Sequence, residues 1–140
     1  MDEEKIIEAI VKTVVARYPS VQGIYLFGSY QTDNEWPDSD VDIAVLLPHD
    51  ASKSERNMMV SECRSRLEDE LGKDVDLVNL RLVSTVFQYQ IITTGRLILS
   101  GDPAAIAAFE MLTISFYQKL NEEREGILRE FFHTKRAYPV

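Results

Sequence analysis

Cysteine is almost absent from this chain of 140 residues, which has only Cys63. That excludes an intramolecular disulfide and a cysteine-rich zinc site. Cys63 falls at the apolar spacing Met59, Cys63, Leu67, Leu71, which predicts a small core residue and not a reactive thiol. Basic residues are also scarce: 15 Lys and Arg stand against 23 Asp and Glu, a formal charge of −8. Without clustered Lys and Arg such a surface repels a nucleic acid duplex, so no direct nucleic-acid partner is expected. A basic protein partner, or a substrate whose phosphates arrive with metal ions, fits better. Long apolar runs are missing too, all falling well short of the ~18 residues that span a bilayer. The acidic start Met1-Asp2-Glu3-Glu4 lacks the basic-then-apolar pattern of a secretory signal. No membrane partner and a cytoplasmic location are therefore expected. No repeat, low-complexity tract or linker interrupts the chain, so residues 1–140 read as one domain.

What is present is a core: 45% of residues are hydrophobic, and their spacing alternates between helical and strand periods. Over Glu4–Arg17, Ile6, Ile7, Ile10, Val11, Val14 and Val15 form a broad apolar stripe, predicting a helix that Tyr18-Pro19-Ser20 ends. Val21–Phe27 is β-rich and runs straight into Gly28-Ser29. Thr32–Asp38 is polar and carries Pro37, a loop. Val41–Leu47 is continuously apolar, a strand buried on both faces. Ser54–Leu71 reads as a helix stopped by Gly72. Val75–Leu80 is a third strand, Val83–Thr94 a helix, and Arg96–Leu99 a short strand. Asp102-Pro103 then caps a long helix that reaches about Phe132. The fold class is α/β (α+β): a small mixed β-sheet with helices packed on it.

Three features carry chemistry. Phe27-Gly28-Ser29 closes a strand, where glycine lets the backbone turn and a ligand approach. The N–H groups that follow and the Ser29 hydroxyl can then face a phosphate. Asp40-Val41-Asp42 opens an apolar strand. Side chains two apart on a strand share a face, about 6.6 Å apart along the chain, so both carboxylates can serve one hard cation such as Mg²⁺. Asp76, in Asp74-Val75-Asp76-Leu77-Val78, completes an acidic cluster if its strand neighbours the first. Three close carboxylates repel, and without a cation at least one should hold its proton. A two-metal site there would align an attacking oxygen with an α-phosphorus and stabilise a pyrophosphate leaving group, with Asp76 the candidate base. Asp38 reads as a loop or capping residue and Asp74 as a solvated strand start.

Gly28-Ser29, ten residues, then Asp40-x-Asp42 resembles the G-S-x10-D-x-D signature of the DNA polymerase β-like nucleotidyltransferase superfamily, and Asp76 lies where that superfamily carries its third acid. The compact size narrows the resemblance to minimal nucleotidyltransferases, the antitoxins of the HEPN–MNT toxin–antitoxin class. The resemblance implies that Gly28 and Ser29 hold the triphosphate of ATP, and that Asp40, Asp42 and Asp76 bind Mg²⁺. It further implies that AMP passes to a tyrosine of a HEPN RNase toxin and silences it. Two alternatives remain: nucleotidyl transfer to a small molecule or an RNA end, and a catalytically silent antitoxin that blocks its toxin by binding alone.

The chain departs from many small members of the superfamily in one respect. Tyr30-Gln31-Thr32 follows the Gly-Ser pair where those carry Ala-Arg, and the next arginine is Arg56. Lys73, Arg81 or the partner are candidates to replace that arginine. Arg129 and His133 are too close for the R-x4–6-H signature of the toxin half. His49 and His133 read as solvated, and Trp36 either stacks on a base or packs its loop. The terminal helix is apolar around much of its girth at Phe109, Met111, Leu112, Ile114, Phe116, Tyr117 and Leu120. It is expected to meet a second helix layer or a partner, either the toxin or another copy of this chain.

Overall fold

The computed structural model describes residues 3–28, 40–56, 58 and 61–134, with backbone alone for 131–134. Ser29, Trp36, Asp38, Met59 and the side chain of His133 lie outside the described residues. The elements are α1 (Glu3–Arg17), β1 (Gly23–Phe27), β2 (Val41–Leu46), α2 (His49–Ser54), α3 (Glu62–Leu71), β3 (Val75–Asn79), a 3-10 turn (Leu80–Leu82), α4 (Thr85–Thr94), β4 (Arg96–Ser100) and α5 (Pro103–Thr134). The sheet order is β3-β2-β1-β4. β1 lies antiparallel to β2 and β4, and β2 runs parallel to β3. This is the expected mixed sheet.

Strand alternation divides the core in two. Ile24 and Leu26 of β1, Val41, Ile43 and Val45 of β2, and Val75 and Leu77 of β3 face α1 and α3, where they meet Ile6, Ile10, Val14 and Leu67. Tyr25 and Phe27 of β1 and Ala44 and Leu46 of β2 face the other way, towards Ile91 of α4 and Ile106 and Phe109 of α5. Asp42 and Asp76 have this second parity. Cys63 is buried, as its spacing predicted, and burial pushes its thiol up to about 11.

Of the helix expected over Ser54–Leu71, only Glu62–Leu71 is helix α3, and α2 is a separate helix that ends at Ser54. α2 begins earlier, at His49, and is capped at Glu55. α3 restarts at Glu62, where the Ser61 hydroxyl accepts from the Arg64 N–H at 3.2 Å. The apolar spacing of Cys63, Leu67 and Leu71 belongs to α3 alone. Buried Asn79, the last residue of β3, holds the connection. Its amide donates to the Ser52 and Glu55 carbonyls at 3.0 and 3.1 Å, and its Oδ1 accepts from Ser52 Oγ at 3.0 Å. Asn79→Ala would leave buried groups without partners and is expected to cost about 2–3 kcal/mol. The check is a lower urea midpoint at unchanged slope.

α5 is tied to the sheet by the Tyr25 hydroxyl, which donates to Glu110 Oε2 at 2.6 Å, and to α4 by stacked Tyr89 and Tyr117 rings 3.7 Å apart. Met111, Leu112, Ile114 and Phe116 remain exposed. The broad apolar girth therefore meets a second helix on one side and faces outward on the other. No described helix is long and apolar enough to cross a membrane.

Candidate active site

One rung of the sheet builds the site. Phe27, the last residue of β1, pairs with Asp42, and Asp42 pairs with Asp76. The parallel β2–β3 register thus sets the two acids side by side on the α4–α5 face, one residue into each strand. Gly28 follows Phe27 directly and has φ 73°, a left-handed conformation that favours glycine. A Cβ added there would collide with Asp42 Oδ2 and lie 3.1 Å from its Cγ. The missing side chain keeps open the approach to the Asp42 carboxylate.

Asp42 is half-buried, and its carboxyl is pushed up to about 7. Burial is the largest cause, followed by a hydrogen bond with Asp76 and the negative charges of Asp76 and Asp40. Ionisation of Asp42 is therefore opposed in the free protein. Asp40 is exposed, just before β2, and reaches Asp42 through its charge. Among the described residues no three His, Cys, Asp or Glu side chains are grouped so as to hold a metal ion between them. The site is an open acidic pair with a third acid at its margin. That donor set fits Mg²⁺, a hard ion that takes one or two carboxylates and fills its other positions with water and substrate phosphates. A cation would also offset the burial and the neighbouring negative charges that oppose ionisation of Asp42.

A pH dependence follows. Folding raises the Asp42 pKa to about 7 from an unfolded value near 4. Between those values the folded state binds the proton and the unfolded chain does not. The stability this proton gives is full below about pH 4 and is lost as pH rises through about 7. In chelator, the Tm should decline from about pH 5 to about pH 8. Asp76→Asn should flatten that decline, and Mg²⁺ should raise the Tm more at the alkaline end.

The remaining candidates separate by the end of the sheet they occupy. Asp74 is exposed, and its carbonyl accepts from the Val41 N–H at 3.0 Å, which fits a strand-start role. Lys73 lies in the turn at the same end as the acids. Arg81 does not: it follows β3 at the opposite end. Its Nε donates to the Leu47 carbonyl, and one Nη donates to Gln22 Oε1 at 2.7 Å. β3 runs three residues past Asp76, about 10 Å, before the 3-10 turn that carries Arg81, and the guanidinium is held there by Leu47 and Gln22, away from the acidic pair. Its structural role is invisible in the sequence because bonds to a strand-end carbonyl leave no trace in residue spacing.

The polymerase β nucleotidyltransferase family matches residues 8–104. The chain belongs to that family. This nucleotidyltransferase is 40% identical over 119 residues, 85% of its own length and 82% of the other's, to the protein adenylyltransferase MntA of Shewanella oneidensis. It is also similar to two solved structures. One is a tri-AMPylated Shewanella oneidensis HEPN toxin in complex with MNT antitoxin, at 34% identity, a TM-score of 0.69, and coverage of 94% of this chain and 99% of that chain. The other is a toxin–antitoxin with AMP-PNP, at 35% identity, a TM-score of 0.69, and coverage of 90% and 98%. The matched family segment contains Gly28, Asp40, Asp42 and Asp76, along with all four strands.

Proposed function

We propose that this nucleotidyltransferase transfers AMP from ATP to a tyrosine of a HEPN RNase toxin and so acts as its antitoxin. The observation that carries the proposal is the Asp42–Asp76 carboxylate pair on one rung beside Gly28, in a chain 40% identical to a protein adenylyltransferase. Asp40 and Asp42 would hold Mg²⁺, with Asp76 as the third carboxylate. When bound, the metal offsets charge on the α-phosphoryl and pyrophosphate oxygens. Gly28 leaves room for the triphosphate beside Asp42, and Ser29 follows it to supply an N–H and a hydroxyl. Asp76 takes the phenol proton as the tyrosine oxygen bonds to the α-phosphorus. The bond from that phosphorus to the bridging oxygen breaks, and pyrophosphate leaves. We assign toxin contact to the exposed Met111 and Ile114 of α5, because such apolar patches mark interaction surfaces.

Co-expression with the toxin tests the proposal. The wild type should restore growth, and Asp42→Asn should fail while still co-purifying with the toxin. Equal rescue by both proteins would mean neutralisation by binding alone.

A further inference from the structure

A cavity of about 220 Å³ lies on the α4–α5 face at the far end of the strands from the acids, between α2, the Arg81 turn, α4 and α5. Its charge is reversed relative to the chain. The protein carries −8, yet His49, Lys53 and Arg81 line this cavity, and none of the described residues lining it is acidic. Arg81 is fixed in place. Its bonds to Leu47 and Gln22 anchor the guanidinium, the remaining Nη is 3.3 Å from His49 Nε2, and the group sits 5.5 Å from the centroid of the Phe109 ring. Lys53 is exposed and forms no ion pair among the described residues. Phe109 and Phe116 supply an apolar floor.

Thr113 gives an independent sign of a ligand. It lines the cavity, is 2% exposed, and its hydroxyl has no hydrogen-bond partner among the described residues. Helical threonines ordinarily bond back to the preceding turn, and Thr93 and Thr94 do so, donating to the Tyr89 and Gln90 carbonyls at 2.7 and 2.6 Å. A buried hydroxyl left unpaired is costly and calls for a partner. The volume is below the roughly 300–1,000 Å³ of sites for drug-sized ligands, which limits the occupant to a small molecule.

We propose that this cavity binds a phosphate monoester with a small apolar body, its phosphate against Lys53, Arg81 and His49, an oxygen paired with Thr113, and its body over Phe109 and Phe116. A phosphate dianion matches the paired Lys53 and Arg81 charges better than a single carboxylate charge does. Phenyl phosphate is the probe, titrated into isotope-labelled full-length protein with amide shifts recorded. Saturable shifts at Lys53, Leu82 and Thr113 are expected. Lys53→Glu should weaken binding at least about tenfold, which is about 1.4 kcal/mol. Thr113→Val should weaken it severalfold while raising the Tm of the ligand-free protein, because the unpaired hydroxyl is gone. Failure of these amides to shift would overturn the proposal, as would equal affinity of wild type and Lys53→Glu. Benzoate binding as tightly as phenyl phosphate would overturn the phosphate assignment. Shifts there with the toxin alone, and none with phenyl phosphate, would make the cavity a protein contact instead.

Discussion

Asp42→Asn is expected to lower AMP transfer at least about a thousandfold, the scale set by losing a group that organises transition-state charge. The same change is expected to raise the Tm of the metal-free protein above about pH 7. The second effect distinguishes the site from ordinary structural damage. Burial and the Asp76 and Asp40 charges oppose ionisation of Asp42 in the folded state. An amide removes that charge and can still donate to Asp76, so the fold gains where catalysis is lost. A variant that lost activity by misfolding would lose stability too. Kinetics and melting curves on one sample of protein therefore decide the matter.

Gly28→Ala is expected to lower the transfer rate about a hundredfold, the cost of displacing a catalytic group by about 1 Å. It should also destabilise the fold by about 1–3 kcal/mol, because alanine is strained in the left-handed region. The collision with Asp42 Oδ2 is the specific part. Either the carboxylate rotates away from Asp76 or the end of β1 shifts, and both disturb the rung. Gly72→Ala separates strain from collision. Gly72 has a similar φ of 65°, but a Cβ there meets nothing within 4 Å. It should show the stability loss and keep the full rate. The pH slope of the Tm should weaken in Gly28→Ala only.

The residues that make the site legible in the sequence are those with short-range signals. Val41–Leu47 reads as a buried strand because parallel pairing and helices on both faces demand a continuous apolar run. That run fixes the parity of Asp40 and Asp42, and the apolar neighbours of Asp76 do the same on β3. The structure adds the register that joins them, Asp42 opposite Asp76. Register depends on the turn between α3 and β3, which composition does not reveal. The break between α2 and α3 is illegible because the Asn79 bonds that hold the end of α2 come from a residue more than twenty positions away. Arg81 resembles a phosphate ligand in the sequence because charge is visible there and direction along a strand is not. The unpaired Thr113 hydroxyl is a property of packing alone.

Protein adenylylation is tested most directly by the intact mass of the purified HEPN partner after incubation with this protein, ATP and Mg²⁺. The expected result is a gain of whole AMP units, mapped by fragmentation to tyrosine, with no gain when Asp42→Asn replaces the wild type. An unchanged partner mass with the wild type, or an equal gain with Asp42→Asn, would contradict it.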